Sequence, residues 1–168
     1  MAKKYLVTGI KEITAKEFNP VKNQGYFCKP EGGLWASTYV EKGLATYKGM
    51  VCKSEWQLFT AIEFESAFRD YGVVFSLKKE AKIAHINTLN DLHKLLEDYK
   101  QEKVNPIQND FLDYEKLAKD FDGIALSKQG EIKTRHSSPA NLYGWDVESL
   151  LLFNIDCIEK QEYIEKIS

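Results

Sequence analysis

Val147-Glu-Ser-Leu-Leu-Leu-Phe153 is the most strand-like stretch of the chain, and it contains the longest apolar run, Leu150-Leu-Leu-Phe153. A short apolar run between polar segments reads as a core strand. It leads through Asn154-Ile-Asp156 into Cys157-Ile158, and the Lys/Glu-rich tail beyond carries Tyr163, Ile164 and Ile167 as a short terminal strand. Upstream, Ile124-Ala-Leu-Ser127 departs from Asp122-Gly123 as another strand. Residues 128–146 between these two strands read as a polar loop, too long for a hairpin turn and therefore a functional candidate.

Further upstream, Thr88 with Asp91 caps an amphipathic helix whose Leu89, Leu92, Leu95, Leu96 and Tyr99 face one way. A second helical stripe follows in Phe111, Tyr114, Leu117, Ala118 and Phe121. Ser54 and Gln57 open an earlier helix with Trp56 and Phe59 on its buried face, and Gly72–Leu77 and Lys82–Ile86 read as strands. At the front, Lys4–Gly9 and Leu34–Tyr39 are strands, the second opened by Gly32-Gly33, with a polar loop containing Pro20 and Pro30 between them. Strands at both ends with helices grouped in the middle predict an α+β fold with a mixed or antiparallel sheet. No repeat or linker divides the chain, so residues 1–168 are expected to form a single domain.

The 168 residues are 43% hydrophobic and 29% charged, the composition of one ordinary globular domain. The longest apolar run is far shorter than the roughly 20 residues a membrane span needs, and Met1-Ala-Lys-Lys4 is followed by no apolar segment. A cytoplasmic protein with no membrane partner is expected. The net charge of −2 opposes a nucleic-acid binder driven by phosphate neutralisation, although residues 1–54 carry nine lysines against four acids. Cys28, Cys52 and Cys157 form no Cys-x-x-Cys pair and are expected as free thiols. There is no phosphate loop, nucleophile elbow, zinc helix or dinucleotide fingerprint. His85 and His93 lack a ligand partner at useful spacing, so no metal is expected, whereas His136 beside Arg135 lies in the long loop.

Glu148 stands at the start of an otherwise apolar strand with Asp146 two residues before it, and alternation puts both carboxylates on one side. Burying an unpaired charge costs several kcal/mol, so such a carboxylate is paired, solvated in a cleft or neutral. It reads either as a strand-end residue facing solvent or as a cleft carboxylate flanked by Arg135, Tyr143 and Trp145.

Gly32-Gly-Leu-Trp-Ala-Ser-Thr38 resembles the second-strand motif of the mono-ADP-ribosyltransferase superfamily. Phe121-Asp-Gly-Ile124 followed by Trp145-Asp-Val-Glu-Ser-Leu-Leu-Leu-Phe-Asn-Ile-Asp-Cys-Ile158 is similar to that family's closing segment, and Lys82–Ile86 before the leucine-rich helix is similar to its strand-then-helix insertion. The resemblance implies the split sheet of the ADP-ribosyltransferase type and an enzyme, toxin-like or phage-type, that transfers ADP-ribose from NAD to a protein or nucleic-acid acceptor. It implies Glu148 as the residue stabilising an oxocarbenium-like transition state and Asp146 as base or orienter toward the acceptor. Trp35, Ser37 and Thr38 would lie under the nicotinamide, and the Thr8-Gly9 backbone would hold its carboxamide. Arg135, His136, Tyr143 and Trp145 would choose the acceptor.

The chain departs from the family where its first strand supplies an Arg or His to hold the ribose, since Thr8 falls there and the first arginine is Arg69. That role passes to Thr8, to a lysine such as Lys4, or to none. The departure supports a second reading, a catalytically inactive ADP-ribosyltransferase-like protein that binds a partner through residues 128–145. Taken singly, Trp35 and Trp56 also read as core aromatics, Ser37 and Thr38 as a strand end, and Gly9, Gly32 and Gly33 as turns.

Overall fold

The computed structural model describes residues 3–103 and 107–167. In chain order its elements are β1 (Lys4–Thr8), β2 (Leu34–Thr38), β3 (Ala45–Tyr47), β4 (Met50–Cys52), α1 (Glu55–Glu63), β5 (Gly72–Leu77) and β6 (Ile83–Ile86). These are followed by α2 (Leu89–Tyr99), α3 (Tyr114–Leu117), β7 (Gly123–Leu126), α4 (Lys128–Thr134), β8 (Ser149–Leu152) and β9 (Ile158–Ile164). The fold is α+β. Seven strands make one mixed sheet in the order β6-β7-β8-β2-β1-β5-β9, and β3 and β4 pair as a separate hairpin. Among the described residues, β6 and β7 are the one parallel strand pair of this sheet, joined by the crossover that contains α2.

β8 is buried along its whole length and faces two cores, as its unbroken apolar sequence requires. Leu151 joins Ile86, Leu92, Leu117 and Trp145 on the side covered by α2 and α3. Leu150 and Leu152 join Tyr5, Ala36, Phe75 and Cys157 on the other. α2 starts where the sequence says it should: Thr88 accepts from the Asp91 N–H, and the Asp91 carboxylate reaches back to the Thr88 N–H.

Four expectations are corrected. Residues 128–146 are not one loop: Lys128–Thr134 is α4, N-capped by Ser127. Its buried face is Gly130, Glu131 and Thr134 rather than an apolar stripe. A Cβ on Gly130 would stand 2.2 Å from the Ile86 carbonyl oxygen, so only glycine lets the helix lie on β6. The second helical stripe shrinks to the four residues of α3, with Phe111 lying outside it. In α1 the buried residues are Gln57, Thr60 and Ala61. The Gln57 amide accepts from the Lys53 N–H and donates to the Arg69 carbonyl, which satisfies it internally and turns Trp56 and Phe59 to the flank. The terminal strand is longer than expected, seven residues along β5, and its mostly exposed Glu and Lys side chains suit a sheet edge.

The β3–β4 hairpin went unread. Lys48 and Gly49 at its turn both have positive φ (48° and 82°), the geometry of a two-residue turn that matches strand twist.

Two positions of the closing segment bind each other. The Asn154 amide donates to Asp122 and so does the Lys82 N–H, each at 2.8 Å, tying the ends of β6, β7 and β8 together. These bonds hold the Asp122 carboxyl below its ordinary 3.8, with Asn154 the larger cause. A depressed carboxylate contributes stability above its unfolded value and loses it as pH falls through the folded one. Asp122→Ala is expected to cost about 1–2 kcal/mol at neutral pH for the lost bonds. In thermal melts the gap from wild type should close below pH 3.8.

Candidate functional site

The sheet is narrowest in pairing at β2, where Tyr5 and Leu6 pair with Thr38 and Ser37 on one side. Leu34, Trp35 and Ala36 pair with Leu152, Leu151 and Leu150 on the other. Strand β8 thus brings Glu148, the residue just before it, to the end of β2. Glu148 is buried, 8% exposed. Its carboxylate accepts from the Thr38 hydroxyl and from the Thr38 N–H at 3.1 Å. Ser37 Oγ donates to the Glu148 carbonyl at 2.8 Å and lies 3.5 Å from the carboxylate. Lys3 Nζ stands 3.9 Å away. Burial first and then the Glu148 charge push the Tyr5 hydroxyl up from its usual value.

A cavity of about 290 Å³ opens beside this junction, lined by Leu6, Val7 and Thr8 of β1, by Trp35, Ala36 and Ser37 of β2, and by Trp145, Asp146, Val147 and Ser149 on the approach to and start of β8, with Trp56 of α1 and Lys29 closing it. Trp145 stands edge-on to Trp35 with centroids 4.7 Å apart and stacks on Tyr114 at 6.3 Å. Thr8, Trp35, Ser37 and Asp146 therefore share one cavity. Glu148 does not line it, and reaches it through Ser37. The expected alternation of the two carboxylates fails because both precede the regular strand: Asp146 turns into the cavity and pairs with Arg135 at 3.2 Å, while Glu148 turns to Thr38.

No protein-family model, curated protein or solved structure matches the chain. The functional reading therefore rests on the geometry of these residues.

Other candidates fall elsewhere. Trp145 is 1% exposed, a core ring and a cavity wall, and cannot meet an acceptor surface. The Gly9 N–H is already given to the Tyr71 carbonyl at 2.9 Å and is not free to hold a carboxamide. Arg69 lies along Gly9, but its guanidinium donates to Ser66 and Phe68 carbonyls. Lys4 is exposed away from the cavity, and the lysine beside Glu148 is Lys3. Arg135, His136 and Tyr143 gather around a second depression. His85 and His93 are exposed, and no group of three or more potential metal ligands occurs among the described residues. No helix among them is long and apolar enough to cross a membrane. The three cysteines are free and buried, and burial pushes each thiol up, away from nucleophilic character.

Sequence reasoning missed Lys29, one of nine lysines in residues 1–54 with nothing in its spacing to set it apart. Its ammonium sits over the Trp35 ring, 4.6 Å from the centroid. Burial lowers its proton affinity, and the Asp146 charge opposes that shift. A lysine lowered in the folded state binds fewer protons there than when unfolded. The buried ammonium therefore costs stability at neutral pH, and the cost fades as pH rises toward the ordinary 10.5. Lys29→Met is expected to melt higher than wild type at pH 7, with the difference shrinking in melts at rising pH, while weakening any anion bound in the cavity.

Proposed function

We propose that the chain is an NAD-dependent ADP-ribosyltransferase acting in the cytoplasm, with NAD as its substrate and Glu148 as its principal catalytic residue. The observation that carries this reading is Glu148, its main chain held by Ser37 and its carboxylate by Thr38, at the meeting point of β1, β2 and β8, next to a tryptophan-lined cavity. The division of the sheet at β2, with β6-β7-β8 on one flank and β1-β5-β9 on the other, supports the ADP-ribosyltransferase type of split sheet. At about 290 Å³ the cavity is at the small end of ligand pockets. It suits the nicotinamide end of NAD rather than the whole dinucleotide, with Lys29 the cation nearest to meet phosphate.

In this chemistry the bond between ribose C1′ and the nicotinamide nitrogen breaks, and nicotinamide leaves as a neutral ring with the bonding pair. Positive charge develops on the ribose only in the transition state, so a preorganised carboxylate lowers the barrier more than it tightens binding. Its hydrogen bonds from the Thr38 hydroxyl and N–H fix its direction before substrate arrives. The acceptor nucleophile then bonds to C1′ and gives up its proton, and Asp146 is the carboxylate placed to take it once the acceptor displaces Arg135.

Isothermal titration with NAD, with nicotinamide release followed in the same samples, tests this directly. Binding accompanied by release is expected, and no binding at millimolar NAD removes the reading. One observation favours the second reading, a non-enzymatic interaction protein on the same fold: β1 presents Leu6, Val7 and Thr8 to the cavity rather than an Arg or His. Its contact would then run through exposed Tyr143 and His136, and Tyr143→Ala would lose the partner while leaving the fold intact.

A further inference from the structure

The second depression, about 520 Å³, lies on the far side of the Arg135–Asp146 pair from the tryptophan-lined cavity. Tyr26 and Tyr143, 81% and 56% exposed, both line it. The Tyr143 ring carries the Arg135 guanidinium at 5.9 Å and lies 5.7 Å from the His136 ring. Asn109 and Asn141 also border it, so amides able to read a base edge accompany the rings.

None of its lining residues is acidic, in a chain with 25 acids. The segments 21–30 and 132–145 that supply most of its lining contain no carboxylate, and Arg135 is the cation among the lining residues. Three neighbouring carboxylates are paired: Asp110 with Lys103 at 2.9 Å, Asp146 with Arg135 at 3.2 Å, and Glu131 with Arg135 at 3.2 Å and Lys128 at 3.5 Å. Exposed ring faces, amides and a guanidinium, with no carboxylate in the lining, suit unpaired nucleobases, which bind by stacking supported by nearby positive charge.

We propose that this depression binds an unpaired base of single-stranded nucleic acid between Tyr26 and Tyr143. That the bound nucleotide is the ADP-ribose acceptor, delivered to Asp146 across the Arg135 wall, rests on the transferase reading; the binding does not require NAD. With a net charge of −2, stacking carries more of the affinity than phosphate contacts, so the salt dependence is shallow.

Short fluorescein-labelled single strands of DNA and RNA, with the same sequences as duplexes, are titrated with the protein and followed by anisotropy. Single strands are expected to bind more tightly than duplexes. The double variant Tyr26→Ala/Tyr143→Ala should weaken them about tenfold or more, while Tyr163→Ala, exposed on β9, does not. Glu148→Gln should bind the strands as wild type does, so loss of NAD cleavage and loss of strand binding remain separate results. Absence of strand binding, or binding indifferent to the two tyrosines, overturns the proposal and leaves a protein as the acceptor.

Discussion

Glu148→Gln is expected to slow nicotinamide release by about 10²–10³-fold, the loss that follows when one preorganised electrostatic stabiliser is removed from a transition state. The amide is nearly the shape of the carboxylate and can still accept from the Thr38 N–H, while the Thr38 hydroxyl can rotate to accept from the new NH₂ group. The fold should therefore survive. The lost pairing with Lys3, 3.9 Å away and more than half exposed, adds little. The effect should fall on kcat rather than KM, because the developing positive charge exists only in the transition state. Release unchanged in the variant would assign the cleavage to another residue.

Trp145→Ala should instead act on stability. Its ring is one of the largest fully buried side chains, wedged between Trp35 and Tyr114, and replacing such a ring costs about 3–5 kcal/mol. For a chain of this size that lowers Tm by on the order of 10 °C. Denaturant melts of the variant measure it, and a midpoint equal to wild type would mean that the aromatic stack does not support the core. Tyr143→Ala, two residues away but exposed, should leave the midpoint unmoved.

The elements legible in the sequence were those whose burial is written in apolar residues. Strand β8 and helix α2 were found because Leu150–Leu152 and the Leu92/Leu96 spacing report burial directly. Helix α1 was legible instead from its Ser54–Gln57 cap, although its buried face is Gln57, Thr60 and Ala61, whereas α4 buries Gly130, Glu131 and Thr134 and shows no apolar period. Ile132 of α4 is 64% exposed, the reverse of the pattern a reader looks for. Glu148 was legible for a different reason, since a carboxylate on an apolar strand must be compensated. Its partner Thr38 was read from the family resemblance as lying under the nicotinamide, and nothing in the sequence joined it to Glu148. Lys29 gave no such signal, because one lysine among many becomes unusual only when a fold buries its stem against a tryptophan.

The bond between Ser37 and Glu148 joins residues 111 positions apart in the chain. Strand β2 has no partner on that side until β8 exists, and closing so long a loop delays the contact behind every local one. During synthesis, α2 and the β1–β5 pairing can form while β2 still waits with one edge open. Ser37, Thr38 and Glu148 are thus assembled among the last contacts of folding. A nascent chain that has not yet delivered β8 carries β1, β2, β5 and α2 but not the assembled cluster of Ser37, Thr38 and Glu148.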